Sequence, residues 1–349
     1  VPIRRASERL ERPSALEVFT NREGLIDAFQ RALEQKRPDQ HRVLVFYGDG
    51  GIGKSLLTRK LEQLLRQRDP EALLARLDFA GNETTPPDVL LYRLRRAFPT
   101  LPFPSFSLGL AIYAKRVHPE QPFPSDRAAF LEGTGPYGDL LSDALGALTS
   151  NPAIAVAIST LKATAQARRQ VREWFEGRAE PWLRRSTAFS EEELLAQLPL
   201  LWAQDFRHAL RSRAARVDLD WDDQELYNGP PPLIVLDTYE ALWHPGRGRR
   251  GELRSLREQW LVDLISELPE VLWLIGGRDR ISWEEAYDPG WSEVCEQHLV
   301  GRLSDADARA FLAKRQVSDP QIVERILETA AGIPFYLELQ SQLHERIEP

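Results

Sequence analysis

Short apolar runs alternate along the chain with amphipathic segments, and this alternation predicts strands that are connected by helices. The runs lie at residues 43–47, 73–79, 233–237, 271–277 and, more weakly, 298–303. Between them leucines recur at helical spacing, as at Leu57, Leu61 and Leu64. Continuous apolar strands separated by helices are typical of a parallel sheet that is covered on both faces. The pattern therefore predicts the α/β class.

Residues 99–230 interrupt this alternation. A proline-rich opening precedes stretches of helical periodicity at 130–148, 154–175 and 191–213. The aromatic residues expected to form a small core among these helices are Trp174, Trp182, Trp202 and Phe206. We interpret the segment as a helical insertion between two strands of the sheet.

The chain is therefore interpreted as one α/β domain that the insertion splits in two. The predicted parts are an N-terminal arm at 1–15, the two halves of the sheet domain at 16–98 and 231–302, the insertion at 99–230, and a C-terminal helical lid at 303–349. Ser304 should cap the first lid helix, because its hydroxyl can accept a hydrogen bond from an amide in the first turn. Gly332-Ile-Pro334 should start the last one. An arginine-rich loop is expected at 245–257.

The turn after the first apolar run carries the most specific motif of the sequence. Its spacing, Gly48-x-x-x-x-Gly53-Lys54-Ser55, matches the phosphate-binding P-loop and lies between a predicted strand and a predicted helix. Glycines let successive N–H groups point into one concavity, to which the helix adds its positive dipole end. Lys54 would reach the β- and γ-phosphates, and the Ser55 hydroxyl would ligate Mg²⁺. The residues expected to bind ATP or ADP here are Gly48, Gly50, Gly51, Ile52, Gly53, Lys54, Ser55 and Leu56.

Two other strands end in charged residues that can complete such a site. Asp237 closes one apolar run, and Arg278 follows another. In a parallel sheet both strand ends face the crevice where ligands bind. Asp237 would act as the Walker B acid and hold Mg²⁺ through water, together with Ser55, while Arg278 would sense the γ-phosphate.

A segment just upstream of the P-loop strand has two interpretations. Leu25, Ile26 and Phe29 fall on one helical face and follow an Arg-Glu pair that begins at Arg22. The segment could line an adenine pocket, or it could be an amphipathic helix that packs on the edge of the sheet. Both interpretations stay open at this point.

Composition indicates what class of protein carries this site. Hydrophobic residues make up 42% of the chain and charged residues 28%, which is ordinary for a globular protein. The net charge of −7 argues against general nucleic-acid binding, and no apolar run approaches the roughly 18 residues of a membrane span. A single cysteine, Cys295, excludes an internal disulfide and suits a cytoplasmic location. The chain starts with Val and contains no Met, so we expect it to be a piece of a longer protein.

At these motifs the sequence resembles the STAND class of signal-transducing P-loop NTPases, which are relatives of the AAA+ proteins. The segments that carry the resemblance are Phe19 to Glu23, Gly48 to Ser55, Leu233 to Glu240, Ile275 to Arg278 and Ala331 to Pro334. The Gly-x-Pro element at Gly332 to Pro334 distinguishes this class from ordinary AAA+ machines, which carry a sensor arginine there.

The resemblance implies an AAA+/ASCE-type P-loop fold whose parallel sheet has the strand order 5-1-4-3-2. It implies that Phe19 and Arg22 contact adenine and that Pro334 packs near the adenine or the ribose. It also implies ADP in a closed resting state, a homo-oligomer in the ATP state, and a protein trigger or effector acting through further domains. One departure concerns catalysis, because Thr238 stands where AAA+ enzymes carry a glutamate base, which leaves Glu240 as the nearby carboxylate.

Three functions are compatible with these residues. The first is a regulatory ATPase switch with slow hydrolysis, in bacterial defence or in transcription or stress regulation. The second is an ATPase of the origin-recognition or helicase-loader kind, in which the basic residues 247–250 would contact DNA. The third is a scaffold that nucleotide stabilises and that never hydrolyses it. The doubtful base, Arg278 and the Gly-x-Pro element favour the switch.

Overall fold

The structure, a computed structural model, describes residues 22–34, 41–82, 85–117, 182, 185–186, 188–215, 231–243 and 252–347. Over these residues the chain forms one five-stranded parallel sheet. The strands are β1 (Arg42–Tyr47), β2 (Leu74–Asp78), β3 (Leu233–Asp237), β4 (Leu272–Gly277) and β5 (Cys295–Leu299). The α/β class predicted from the apolar runs is confirmed.

The helices are numbered in chain order over the same residues. They are α1 (Glu23–Glu34), α2 (Lys54–Arg68), α3 (Pro87–Arg96), α4 (Pro104–Val117), α5 (Glu191–Ala215), α6 (Glu252–Ser266), α7 (Trp283–Ala286), α8 (Trp291–Val294), α9 (Asp305–Lys314), α10 (Pro320–Ala330) and α11 (Pro334–Ile347). A 3₁₀ helix, Tyr239–Trp243, follows β3 directly. None of these described helices combines the length and the apolar character needed to cross a bilayer.

The strands lie in the order β2-β3-β4-β1-β5. From the opposite edge this order is 5-1-4-3-2, the order that the family resemblance implies. Because all neighbours are parallel, the carboxyl ends of β1, β3 and β4 lie at one edge of the sheet. The turn after Tyr47, the side chain of Asp237 and the backbone at Arg278 are therefore brought together by topology alone.

Burial explains why the central strands were recognisable in the sequence. Every residue of β3 and β4 is buried, and side chains of β1 alternate between two hydrophobic clusters. Leu44 and Phe46 pack with Leu57 and Leu61 of α2, while Val43 and Val45 belong to the cluster on the other face. A strand covered on both faces is apolar at successive positions.

The last strand was placed wrongly. The sequence pattern indicated residues 298–303, whereas β5 runs from Cys295 to Leu299. Among the described strands it pairs only with β1, at the edge of the sheet, and its residues are half-buried or exposed. An edge strand of this kind can be polar, so the apolar residues Val300 and Leu303, which are buried beyond its end, gave a misleading signal.

Two described helices come from the predicted insertion, and they pack against the sheet domain. Trp202 and Phe206 of α5 stack with ring centroids 4.9 Å apart and contact Phe98 and Phe103. These side chains and the buried Trp182 share one hydrophobic cluster with residues of the sheet. The expected aromatic contacts are therefore present for Trp182, Trp202 and Phe206, whereas Trp174 lies outside the described residues.

The arginine-rich segment before α6 differs in part from the prediction. A loop was expected at 245–257, but α6 begins at Glu252. The residues at its start, Glu-Leu-Arg-Ser-Leu-Arg, are mostly good helix formers, so charge content was a poor guide to loop structure here. Residues 247–250, named in the DNA-acting hypothesis, lie outside the described part of the chain.

The lid forms a small core of its own from α9, α10 and α11. Ser304 caps α9 by accepting a hydrogen bond from the Asp307 amide at 3.2 Å, and α11 begins at Pro334, as predicted for both. Gly332 connects the end of α10 to the segment before α9, because its carbonyl accepts from the Leu303 amide at 2.8 Å. Its φ of +71° and a space that puts an added Cβ 2.5 Å from the Leu303 carbonyl oxygen require glycine there.

Candidate functional site

A cavity of about 440 Å³ lies where the carboxyl edge of the sheet meets the lid. Its volume is within the range of small-molecule sites, which is roughly 300–1,000 Å³. The part of its wall that belongs to the sheet domain consists of Gly50, Gly51, Gly53, Lys54, Ser55, Leu56, Asp237, Thr238, Glu240 and Arg278. The lid contributes Phe311, Arg315, Pro334, Phe335 and Glu338. Most residues predicted from the motifs therefore line one cavity.

Three predicted binding residues, Gly48, Ile52 and Arg22, lie near the P-loop turn but are not part of the cavity wall. Gly48 presents its carbonyl to Lys54, and Ile52 is buried beneath the turn in the core. Arg22 donates from Nη2 to the Ile52 carbonyl at 3.4 Å. Burial lowers the pKa of Arg22, although the negative charge of Asp307 acts in the opposite direction. Phe19, the other predicted adenine contact, lies outside the described residues. The segment at Arg22 therefore contacts the P-loop backbone.

Lys54 begins α2, and its ammonium bends back over the turn. Nζ donates to the Gly48 carbonyl at 2.7 Å and to the Asp49 carbonyl at 2.9 Å. Burial lowers the pKa of Lys54, and the Arg278 charge acts in the same direction, while Glu240, Asp237 and Asp49 raise it. The group is thus a partly desolvated cation whose present acceptors are neutral carbonyls. A phosphate oxygen would be a stronger acceptor than either.

Asp237 is the point where distant parts of the chain meet. Its side chain is only 4% exposed. Oδ1 accepts from the Ser55 hydroxyl at 3.0 Å and from the Thr238 amide at 3.0 Å. Oδ2 accepts from Nη1 of Arg76 at 2.6 Å. The carboxylate therefore links the start of α2, the end of β3 and the middle of β2.

Arg76 is a residue of the site's surroundings that the sequence analysis missed. Beyond its bond to Asp237, it donates from Nε to Glu62 at 2.8 Å and from Nη2 to the Thr58 hydroxyl at 2.8 Å. One signal could have revealed it. Arg76 follows Leu74 and Ala75 and precedes Leu77, and an arginine among apolar residues of a buried strand needs a charged partner, for which the acid Asp237 was a candidate.

The oxygen atoms of Ser55 and Asp237 fit a magnesium site that is completed by phosphates. Both are hard oxygen donors, they lie 3.0 Å apart, and both line the cavity. Over the described residues no group of three or more His, Cys, Asp or Glu side chains could hold a metal ion alone. Magnesium commonly binds through one or two protein oxygens together with substrate phosphates and water. The donor set suits an ion that arrives with a nucleotide.

Glu240 and Arg278 form an ion pair on the cavity wall. Oε1 of Glu240 lies 3.0 Å from Nε of Arg278, and Oε2 accepts from the Arg278 backbone amide at 3.1 Å. The Glu240 side chain is 10% exposed, whereas that of Arg278 is 65% exposed. Both predicted residues are therefore in the site. Glu240, the candidate base, therefore has one contact with the side chain and one with the backbone of Arg278, the candidate sensor.

The residues after Asp237 are held in a fixed and partly strained arrangement. Thr238 has φ of +56°, which is unfavourable for a β-branched residue. Its hydroxyl donates to Asp78 at 2.9 Å. Next, the Tyr239 hydroxyl donates to the fully buried Glu258 at 2.8 Å, and burial together with that carboxylate raises the pKa of Tyr239 well above its usual value. These contacts fix the start of the 3₁₀ helix that carries Glu240.

The lid touches the P-loop directly. The Phe335 amide donates to the Gly51 carbonyl at 3.2 Å, and an added Cβ on Gly51, whose φ is +76°, would lie 2.9 Å from Cβ of Phe335. Cγ of Pro334 is 3.9 Å from the place of a Cβ on Gly53. Pro334 thus lies next to the P-loop turn. Its neighbour Phe335 contacts the turn as well, and the sequence analysis did not identify it.

A second ion pair faces the cavity from the lid. Arg315, at the end of α9, binds Glu338 of α11 with Nε and Nη2 at 2.8 and 2.7 Å from Oε2. Neither residue belongs to a motif, and the pair is formed only by the packing of α9 against α11. The cavity wall therefore carries three cations and three carboxylates, and two of the cations are paired within it.

No protein-family model matches this chain, and no curated protein matches it either, so its geometry is the basis for assigning a function.

The Asp237–Arg76 contact should be measurable as a coupling between the two residues. Asp237→Ala removes the partner of a largely buried guanidinium, so we expect it to lower the free energy of unfolding by about 3 kcal/mol. In a double-mutant cycle with Arg76→Ala, the coupling should reach about 1 kcal/mol or more. Chemical denaturation of the four proteins measures it.

The matched control is the Arg309–Glu324 pair on the lid surface, whose side chains are 49% and 56% exposed at a distance of 2.7 Å. Because solvent screens it, its cycle should give less than about 1 kcal/mol. Equal coupling in the two cycles would refute the anchoring role of Asp237.

Proposed function

We propose that this protein is a P-loop ATPase of the STAND type, in which bound ATP or ADP with Mg²⁺ sets the conformational state of the lid. The observation that carries the proposal is the 3.0 Å contact between the Ser55 hydroxyl and Asp237, residues that are 182 positions apart. The P-loop motif and an acidic strand end were identified independently, and their meeting is what nucleotide-bound magnesium requires.

The division of labour follows from the contacts. The backbone of the turn at Gly50 to Gly53 and the N-terminus of α2 bind phosphates, and Lys54 leaves its carbonyl acceptors for the β- and γ-phosphates. Ser55 ligates Mg²⁺, and Asp237 holds it through water. Arg278 offsets charge at the γ-phosphate. This assignment is supported by the cavity wall, which includes Gly50, Gly51, Gly53, Lys54, Ser55, Asp237 and Arg278.

The finer fold assignment belongs to the same proposal. A parallel sheet in which β1 lies between β4 and β5, followed by a helical lid, supports the AAA+/ASCE type of P-loop fold. The contact of α11 with the P-loop supports the STAND class within it, because Pro334 and Phe335 reach Gly51 and Gly53. In this proposal the lid senses a nucleotide at the P-loop through one backbone hydrogen bond, which the Phe335 amide donates to the Gly51 carbonyl.

Slow hydrolysis is favoured by the state of Glu240. A general base needs a carboxylate oxygen within reach of the attacking water. Oε1 of Glu240 is paired with the Arg278 side chain and Oε2 accepts from the Arg278 backbone amide, so Oε1 becomes fully available to a water only when the Arg278 side chain turns away, for example toward a γ-phosphate. Such an enzyme would keep ATP long enough for an ATP-bound homo-oligomer to signal to a partner protein. The same contact makes a non-hydrolysing scaffold the second candidate.

Nucleotide binding is tested by thermal unfolding with and without Mg·ATP. A ligand at a hundredfold excess over its Kd stabilises the native state by about 2.7 kcal/mol. We expect this stabilisation in the wild type and its loss in Lys54→Ala, because the cation that faces the phosphates is gone. Lys60→Ala, on the same helix, is the matched control, since Lys60 donates only to Gln63 at 3.2 Å among the bonds described here. Undiminished stabilisation of Lys54→Ala by ATP would refute the site.

The switch is separated from the other functions by steady-state turnover. We expect less than about one ATP per minute, far below the roughly 10 s⁻¹ of a median enzyme, and ADP that co-purifies with the protein. Glu240→Gln should abolish turnover while ATP still binds. Turnover that DNA stimulates would favour the DNA-acting ATPase, and ATP-dependent stabilisation without any hydrolysis would favour the scaffold. Normal turnover in Glu240→Gln would exclude Glu240 as the base.

A further inference from the structure

The acid that would hold magnesium is already bound to a cation of the protein. Oδ2 of Asp237 accepts from Nη1 of Arg76 at 2.6 Å, the shortest of its three hydrogen bonds. The P-loop motif accounts for Ser55 and the Walker B assignment for Asp237, but neither gives a reason for an arginine on β2 at this point.

The Arg76 guanidinium is fixed in place from three sides. Besides Asp237, it binds the Glu62 carboxylate at 2.8 Å and the Thr58 hydroxyl at 2.8 Å, and its side chain is 20% exposed. Glu62 and Thr58 both lie on α2, the helix that begins at the P-loop. The cation therefore stays next to Asp237 through the same elements that build the phosphate site.

Arg76 does more than help to position the carboxylate. Oδ1 of Asp237 already accepts from the Ser55 hydroxyl and the Thr238 amide, which are both neutral donors. The contribution specific to Arg76 is its positive charge. A unit charge close to a carboxylate offsets most of the attraction that this carboxylate exerts on a second cation.

We propose that Arg76 is a positioning residue that makes metal binding at Ser55 and Asp237 conditional on nucleotide. With Arg76 paired to Asp237, the protein oxygens attract a free divalent cation too weakly to hold it. The additional negative charge of the nucleotide phosphates is then required, so that metal and nucleotide bind together. An ion bound without nucleotide would occupy the site and raise the affinity for phosphate in the resting protein. This inference rests on the proposed function, since it concerns the same site.

The test measures Mn²⁺ binding to the nucleotide-free protein. Binding is detected as a decrease in the EPR signal of the free ion. We expect weak binding by the wild type and an affinity at least about tenfold higher in Arg76→Gln, which removes the charge beside Asp237. Arg76→Lys keeps the charge and should bind Mn²⁺ as weakly as the wild type. Arg68→Gln removes an exposed charge from α2 that pairs with Glu34 at 3.5 Å, and it should change nothing.

A second variant that lacks the charge, Arg76→Met, is included in case Arg76→Gln does not fold. Arg76→Met needs no hydrogen-bond partner, so whichever of the two variants keeps the wild-type circular dichroism spectrum gives the result. Unchanged Mn²⁺ affinity in the folded variant would overturn the proposal, as would Arg76→Lys binding Mn²⁺ as tightly as Arg76→Gln. Both outcomes would leave Arg76 with a merely structural role.

The proposed function is tested separately in the same samples. Binding of a fluorescent ATP analogue in the presence of Mg²⁺ reports the nucleotide site independently of metal binding to the nucleotide-free protein. Absence of that binding in the wild type would refute the nucleotide site. The comparison of Mn²⁺ affinity between Arg76 variants would still decide whether Arg76 suppresses metal binding at Asp237.

Discussion

The contact between Ser55 and Asp237 is the constraint on which the rest of the site depends. It ties the first turn of α2 to the end of β3, and through Arg76 it reaches β2. Because β3 and β4 are neighbours, this also fixes the place of Arg278 relative to the P-loop. A single buried carboxylate thus holds α2 and β2 at the end of β3, and a buried acceptor is costly to leave without its donors.

A second property of the cavity is that its charges are satisfied by the protein itself. Lys54 binds carbonyls of its own turn, Arg278 binds Glu240, and Arg315 binds Glu338. A phosphate ligand therefore exchanges one set of contacts for another, and differential contacts of this kind are what allow a ligand to shift a conformational equilibrium. The lid takes part because Phe335 donates to Gly51 of the turn. These exchanges suit a protein whose response to nucleotide is conformational.

The parts that were predictable from sequence are those where one rule dominates. β3 and β4 are buried throughout and so are apolar throughout, and the P-loop has a fixed spacing. Asp237 was identified because it closes a continuous apolar run in a chain that also has a P-loop, which is the place of the Walker B acid. Edge strand β5 was predicted at 298–303 instead of 295–299, because its central residues, Glu296, Gln297 and His298, are polar and form no apolar run. Arg76 was missed because its reason for being there, the carboxylate of Asp237, lies 161 positions away.

Hydrogen exchange of the wild-type protein with and without Mg·ATP tests the central claim most directly, because it shows where a nucleotide acts. The account predicts slower exchange of the backbone amides in the turn at residues 50–55 and at the start of α11, where Phe335 meets Gly51. Helices α4 and α5, which pack together away from the cavity wall, should exchange as before. Unchanged exchange at the turn, or protection that appears only elsewhere, would contradict a nucleotide site between the P-loop and the lid.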